Sequence, residues 1–100
     1  MKIFISQPMQ GKSNEEIENT RKNAVAKVIE KYPNEEVEII DSFMKDMTSE
    51  FKPLYLLGKA FQLLSEADVA FFAKGWDNSR GCKMEHMAAS EYGVAIVEEE

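Results

Sequence analysis

The stretch ADVAFFAKGWDNSRGCKME, residues 67–85, decides the fold. Residues 68–73 are apolar after their opening Asp68, which reads as a strand covered on both faces, the pattern of a parallel sheet. A polar loop, residues 74–81, follows. Residues 80–92 then show helical spacing, with Met84, Met87, Ala88 and Tyr92 as the inward-facing set, and Gly93 ends the helix. In folds built from such strand–loop–helix units, small molecules bind where the loop leaves the carboxyl end of the strand.

The rest of the chain repeats the unit. Lys2–Ser6 (Lys-Ile-Phe-Ile-Ser) is β-branched and aromatic and reads as a first strand, closed by Gln7-Pro8-Met9-Gln10-Gly11. Ser13 or Asn14 caps a helix, and Glu16 completes a capping box with Ser13. Ile17, Thr20, Arg21, Ala24, Val25, Val28 and Ile29 recur at helical spacing until Tyr32-Pro33-Asn34 stops them. Residues 37–40 form a second strand closed by Asp41. Residues 42–53 read either as a partly ordered lid or as a short helix. Residues 54–65 are helical with a weak point at Gly58, and residues 94–97 make a last strand. The order β-α-β-α-β-α-β predicts one α/β domain. Its parallel sheet has four strands, with five as the alternative, in a three-layer, flavodoxin- or Rossmann-like arrangement flanked by helices. The loops at residues 7–12 and 74–81 are expected side by side at the topological switch point.

Composition narrows the function classes. One hundred residues make a single domain, 44% hydrophobic, with a net charge of -6. That charge argues against a nucleic-acid polymer, which needs a basic face, but leaves room for one phosphate on backbone N–H groups. The lone Cys82 allows no internal disulfide and points to a reducing, cytoplasmic setting. No stretch reads as a membrane span or signal segment, and residues 98–100 (Glu-Glu-Glu) read as a solvated acidic tail.

The candidate chemistry lies in the two loops. Gly11-Lys12-Ser13 lacks the earlier glycine of a P-loop, so Gln7, Pro8, Met9 and Gly11 read either as a plain turn or as ligand contacts. Ser79 can cap the following helix or, with Gly81 and the free N–H groups there, hold an anion. Glu85 lies about one helical turn past Gly81, where a carboxylate can attack an electrophilic carbon. Asp68, Asp77 and Asp41 are each candidates to bind a sugar hydroxyl. Trp76 can stack on a base or cover the core. His86, the sole histidine, points elsewhere on the helix than Glu85, and no metal set is apparent. Cys82 sits in a helical first turn that favours a thiolate, against the alternative of a small packed residue.

The segment Lys2-Ile-Phe-Ile-Ser-Gln-Pro-Met-Gln-Gly11, together with Ser79-x-Gly81-x-x-x-Glu85-x-x-x-Ala89 and Gly93, resembles the nucleoside 2-deoxyribosyltransferase superfamily. It is closer still to the DUF4406-type branch found in phage and bacterial genomes, which opens with a strand and Gly-Pro-Met-x-Gly; here Gln7 replaces the first Gly. The resemblance implies a flavodoxin-like fold, homo-oligomers, no cofactor, and cleavage of an N-glycosidic bond in a 2′-deoxynucleoside or its 5′-monophosphate. It implies Glu85 as nucleophile and Asp68 as the acid that helps the base depart, with Asp77 as substitute. Six residues before the nucleophile the transferases carry Asp, whereas the monophosphate hydrolases carry a phosphate-binding Ser, matched here by Ser79. A carboxylate at that point would repel a phosphate that a hydroxyl at a helix N-terminus welcomes. Two other readings stand beside this one. One is a non-catalytic nucleotide-binding or sensing module, since fold does not dictate chemistry. The other is an interaction protein using its Met-rich helix.

Overall fold

The computed structural model describes residues 1–40 and 52–99. In chain order these form β1 (Lys2–Ser6), α1 (Asn14–Lys31), β2 (Glu38–Ile39), α2 (Pro53–Leu64), β3 (Val69–Phe72), a 3₁₀ turn (Trp76–Asn78), α3 (Arg80–Glu91) and β4 (Ala95–Glu98). All pairings are parallel, in the order β2-β1-β3-β4, so the described residues form a four-stranded sheet. Asp41 and most of the segment read as a lid or short helix lie outside the described residues.

Period-two alternation along the strands sorts the core into two layers. Ile3, Ile5, Val69 and Phe71 point to one face, where Ala24 and Val28 of α1 cover them. Phe4, Ala70 and Phe72 point to the other, against Ala60 and Leu64 of α2 and Ala89 of α3. The central strands β1 and β3 are thus buried on both sides, which is why β3 reads as an unbroken apolar run. β2 has only two residues in regular pairing, but its N–H groups at Glu38 and Ile40 donate to Met1 and Ile3 carbonyls at 2.9 Å. The pairing therefore spans most of the expected strand.

The local signals act as the sequence suggests. Ser13 caps α1 and accepts from the Glu16 N–H at 3.1 Å, while the Glu16 carboxylate accepts from the Ser13 N–H. Pro53 begins α2, where its missing N–H costs nothing. Gly93 takes φ +75° just past α3, a left-handed conformation that favours glycine.

Two expectations fail, those for the inner face of α3 and for the acidic end. Met87 and Tyr92 of α3 are 53% and 87% exposed, and Met84 is also exposed. The helix instead buries Cys82 and Ala89, with Ala88 partly covered, because close approach to the aromatic sheet face of Phe4 and Phe72 selects small residues. The acidic end is no free tail: the Glu98 carboxylate bonds His86 Nε2 at 2.8 Å, and the Glu99 carboxylate accepts from the Asn23 amide and the Lys74 N–H. Asp68 lies at the amino edge of β3, where its Oδ2 accepts from the Lys2 N–H at 2.7 Å. No described helix is long and apolar enough to cross a membrane.

These packing differences set the expected cost of substitution. Phe71→Ala should lose about 3–5 kcal/mol by opening a cavity in the buried layer. Tyr92→Ala should change chain stability by less than about 0.5 kcal/mol. Urea denaturation of both variants checks this, and similar losses would contradict the burial pattern.

Candidate functional site

The sheet order creates a crevice. β1 feeds α1 on one face and β3 leads to α3 on the other, so the two connections diverge at the carboxyl ends of neighbouring strands. After β1 the chain turns at Met9–Lys12, with the Lys12 N–H donating to the Met9 carbonyl at 3.1 Å and Gly11 at φ +78°. After β3 it turns through Gly75, at φ +92°, into the 3₁₀ turn. A β-carbon at Gly75 would lie 3.7 Å from Pro8 Cγ, so the two loops touch, as the switch-point rule anticipates.

Glu85 projects between them. Cys82, Glu85 and Ala89 lie three and four residues apart on one side of α3, turned toward the sheet. Ser6 ends β1 and shares the Phe4 face, so its hydroxyl also points at α3. It donates to Glu85 Oε1 at 2.6 Å, a bond joining residues 79 positions apart. No other hydrogen bond to this carboxylate forms among the described residues. Burial pushes the Glu85 acid above the ordinary carboxylate range, and the Ser6 bond partly offsets the rise. Ser79 caps α3, its hydroxyl accepting from the Cys82 N–H at 3.4 Å. Burial also pushes the Cys82 thiol up; bonds with Ser6 and Ser79 oppose this and the nearby Glu85 charge adds to it. Cys82 is therefore a packed neutral thiol, and the helix N-terminus does not make it a thiolate.

Around these groups the surface is hollow. A cavity of ≈ 200 Å³ is lined by Ser6, Gln7, Met9, Ser79, Gly81, Cys82 and Glu85, among others. An apolar recess of ≈ 320 Å³, walled by Met9, Pro53, Leu56, Leu57 and Ala60, shares Gly81 and Glu85 with it. Gly81 also borders a ≈ 530 Å³ hollow with Lys52 and Arg80 on its rim. On the α1 side of the crevice, Gln7, Pro8, Lys12, Thr20, Lys74 and Glu99 line a separate polar recess of ≈ 200 Å³.

Of the residues expected at the site, Glu85, Ser79, Gly81, Gln7 and Met9 come together. Gln7 is buried, with its amide Nε2 donating to the Ile17 carbonyl at 3.4 Å, so it props the first loop against α1 as well as lining the cavity. Pro8 turns to the α1-side recess, and Gly11 is an exposed turn residue that lines none of these cavities. Asp77 is exposed in the 3₁₀ turn and does not line the Glu85 cavity. Asp68 stands at the opposite, amino end of β3, about 13 Å along the strand from the level of Ser6 at the usual strand rise. It therefore cannot protonate a leaving group beside Glu85. Trp76 covers core: its ring stacks on His86 at 3.9 Å, and both rings meet Phe72. Ser6 is the residue that sequence reading misses. The signal was a polar side chain at the carboxyl end of a buried apolar strand, on the same face as Phe4. Among the described residues no three His, Cys, Asp or Glu side chains are grouped to hold a metal ion.

Residues 1–98 match the DUF4406 family, a domain of unknown function, and the chain belongs to that family. No curated protein and no solved structure matches it.

The partly buried carboxylate makes stability depend on pH. A raised folded-state pKa means that the native chain binds more protons than the unfolded one. Stability is therefore lost as pH rises from the ordinary carboxylate range through the raised value. Glu85→Gln, which keeps an acceptor for Ser6, should stabilise the chain at pH 7 by about 0.5–2 kcal/mol, and the gain should vanish near pH 4. Denaturation at the two pH values checks this; a gain that is equal at both would contradict it.

Proposed function

We propose that this protein cleaves or transfers the N-glycosidic bond of a 2′-deoxynucleoside or its 5′-monophosphate, with Glu85 as the nucleophile. One observation carries the reading. A half-buried carboxylate, fixed at one oxygen, faces a cavity between the two loops of the switch point, beside a helix N-terminus capped by Ser79.

In the reaction, the free carboxylate oxygen bonds to the anomeric carbon as the carbon–nitrogen bond breaks. The bonding pair leaves with the base, which takes a proton from solvent. Water, or a second base, then attacks the same carbon and restores the carboxylate. The sugar occupies the cavity over Glu85, and the apolar recess of Met9, Leu56 and Leu57 suits the flat face of a base. The hydroxyl of Ser79 and the N–H groups at the start of α3 suit a 5′-phosphate. The resemblance in the spacing Ser79-x-Gly81-x-x-x-Glu85 supports the same assignment. This chemistry calls for no cofactor. The exposed apolar residues Leu54 and Phe61 of α2, Met87 of α3 and Tyr92 just past it support assembly with further copies of the chain.

A second reading, a nucleotide-binding module without turnover, is favoured by one feature. Among the described residues no second carboxylate lines the Glu85 cavity to assist the leaving base. One assay separates the two readings. Purified protein incubated with each common deoxynucleoside and its monophosphate should release free base, and Glu85→Gln should slow release by more than about 10³-fold while ligand binding persists. Binding with no base release from any of these would replace the first reading by the second.

A further inference from the structure

We infer that Ser6 is a positioning residue for this reaction: its hydroxyl, donated to Glu85 Oε1, fixes the carboxylate plane and leaves Oε2 as the attacking atom. The inference rests on the reading of Glu85 as nucleophile. It follows from three observations about the bond.

Ser6 is itself rigid. It is 2% exposed, its carbonyl accepts from the Ala73 N–H at 2.9 Å, and its Cα pairs with Phe72 in the β1–β3 register. The serine side chain, on a paired central strand beside Cys82 and Glu85, has one carbon torsion to fix, whereas the glutamate has three. At 2.6 Å the contact is short, as hydroxyl–carboxylate bonds are. It also reaches only one oxygen. A guanidinium in that position would engage both oxygens and blunt each as a nucleophile. A single hydroxyl holds Oε1 and leaves the electrons of Oε2 to the substrate.

Among the described residues this hydroxyl is the one hydrogen-bond donor to the charged form. From β1 and the first loop, Ser6, Gln7 and Met9 face Glu85; from α2 come Leu56, Leu57 and Ala60; its own helix offers Cys82. Cys82 is the only ionisable group among them, and as a neutral thiol it supplies no positive charge. With no cation facing it in these linings, the carboxylate depends on the Ser6 hydroxyl to remain ionised in a partly apolar slot. Ser6 keeps its proton throughout. As Oε2 bonds to the anomeric carbon and the base departs with its electron pair, Oε1 becomes the ester carbonyl and the same hydroxyl remains on it. When water releases the sugar, the hydroxyl again meets the restored charge.

The test uses the full-length chain with Ser6→Ala and Ser6→Thr, reading both base release across pH and the Glu85 carboxyl titration by carbon-13 NMR. In Ser6→Ala the titration and the acidic limb of kcat/KM should move together to higher pH, since a stabiliser of the charged form is gone. The value of kcat should fall about 10- to 100-fold, with KM within about twofold. Ser6→Thr, which keeps the hydroxyl, should recover most of both. A titration and pH profile indifferent to Ser6→Ala, in a protein that does release base, overturns the role of Ser6 alone. A titration that follows Ser6 in a wild-type protein that releases no base supports the Ser6–Glu85 coupling and overturns the glycosidic reading instead.

Discussion

The pairing of β1 with β3 is the constraint on which the rest of the structure depends. Four rungs, from Ile3–Val69 to Ser6–Phe72, are buried on both faces, and their ends are tied. At the amino edge, Asp68 holds the Lys2 N–H; at the carboxyl edge, the Ala73 N–H holds the Ser6 carbonyl. Register matters here beyond packing. A slip of one residue would turn Ser6 toward α1 and bring its neighbour to the α3 side, dissolving the bond to Glu85. The same pairing makes the crevice, because two adjacent strands send their helices to opposite faces.

The strand that follows α3 secures the other wall. Glu98, which ends β4, and Glu99, which follows it, reach to opposite faces of the sheet. Glu98 reaches His86, whose ring stacks on Trp76 at the root of the second loop. Glu99 reaches over the α1 side to Asn23 and to the Lys74 N–H, where that loop begins. The loop from Lys74 to Ser79 is therefore held from above and below the sheet by adjacent residues where the edge strand β4 ends. Preorganisation of this kind suits the proposed site, whose groups would have to keep sub-ångström relations as a ligand enters.

Glu85 itself is a local sacrifice of stability. A carboxylate beside Met9, Leu56 and Ala60 loses water, and the single hydroxyl of Ser6 only partly compensates. A surface glutamate one turn away would avoid that loss. A raised carboxyl pKa with a specific partner inside a cleft is common at functional groups. Cys82 belongs to the same neighbourhood but not to the same role. Its thiol is buried and neutral, and its small size lets α3 approach β1 closely enough for the Ser6–Glu85 bond.

The sequence by itself determined the class and order of the fold. The apolar run of β3, the capping box of Ser13 and Glu16, and the glycine after α3 are local signals that need no tertiary context, and each element appears within a residue or two of its expected place. It also singled out Glu85, Ser79 and Gly81, because their spacing on a helix that follows a buried strand is a local property too. What lay beyond it were relations between distant residues. Asp68 was expected as the acid, with Asp77 as its substitute, yet one clips the amino edge of the sheet and the other faces solvent. Met84, Met87 and Tyr92 fitted the helical period as well as Cys82 and Ala89 did, until contact with Phe4 and Phe72 required small side chains. The acidic end looked solvated because its partners, His86, Asn23 and Lys74, lie at least a dozen residues away. Ser6 and Glu85 are 79 residues apart, and only the parallel register that sets their two elements side by side turns a strand-end hydroxyl and a helical acid into one site. Spacing along a helix or strand is fixed by backbone geometry within a few residues, whereas which faces meet is fixed by the packing of the whole chain.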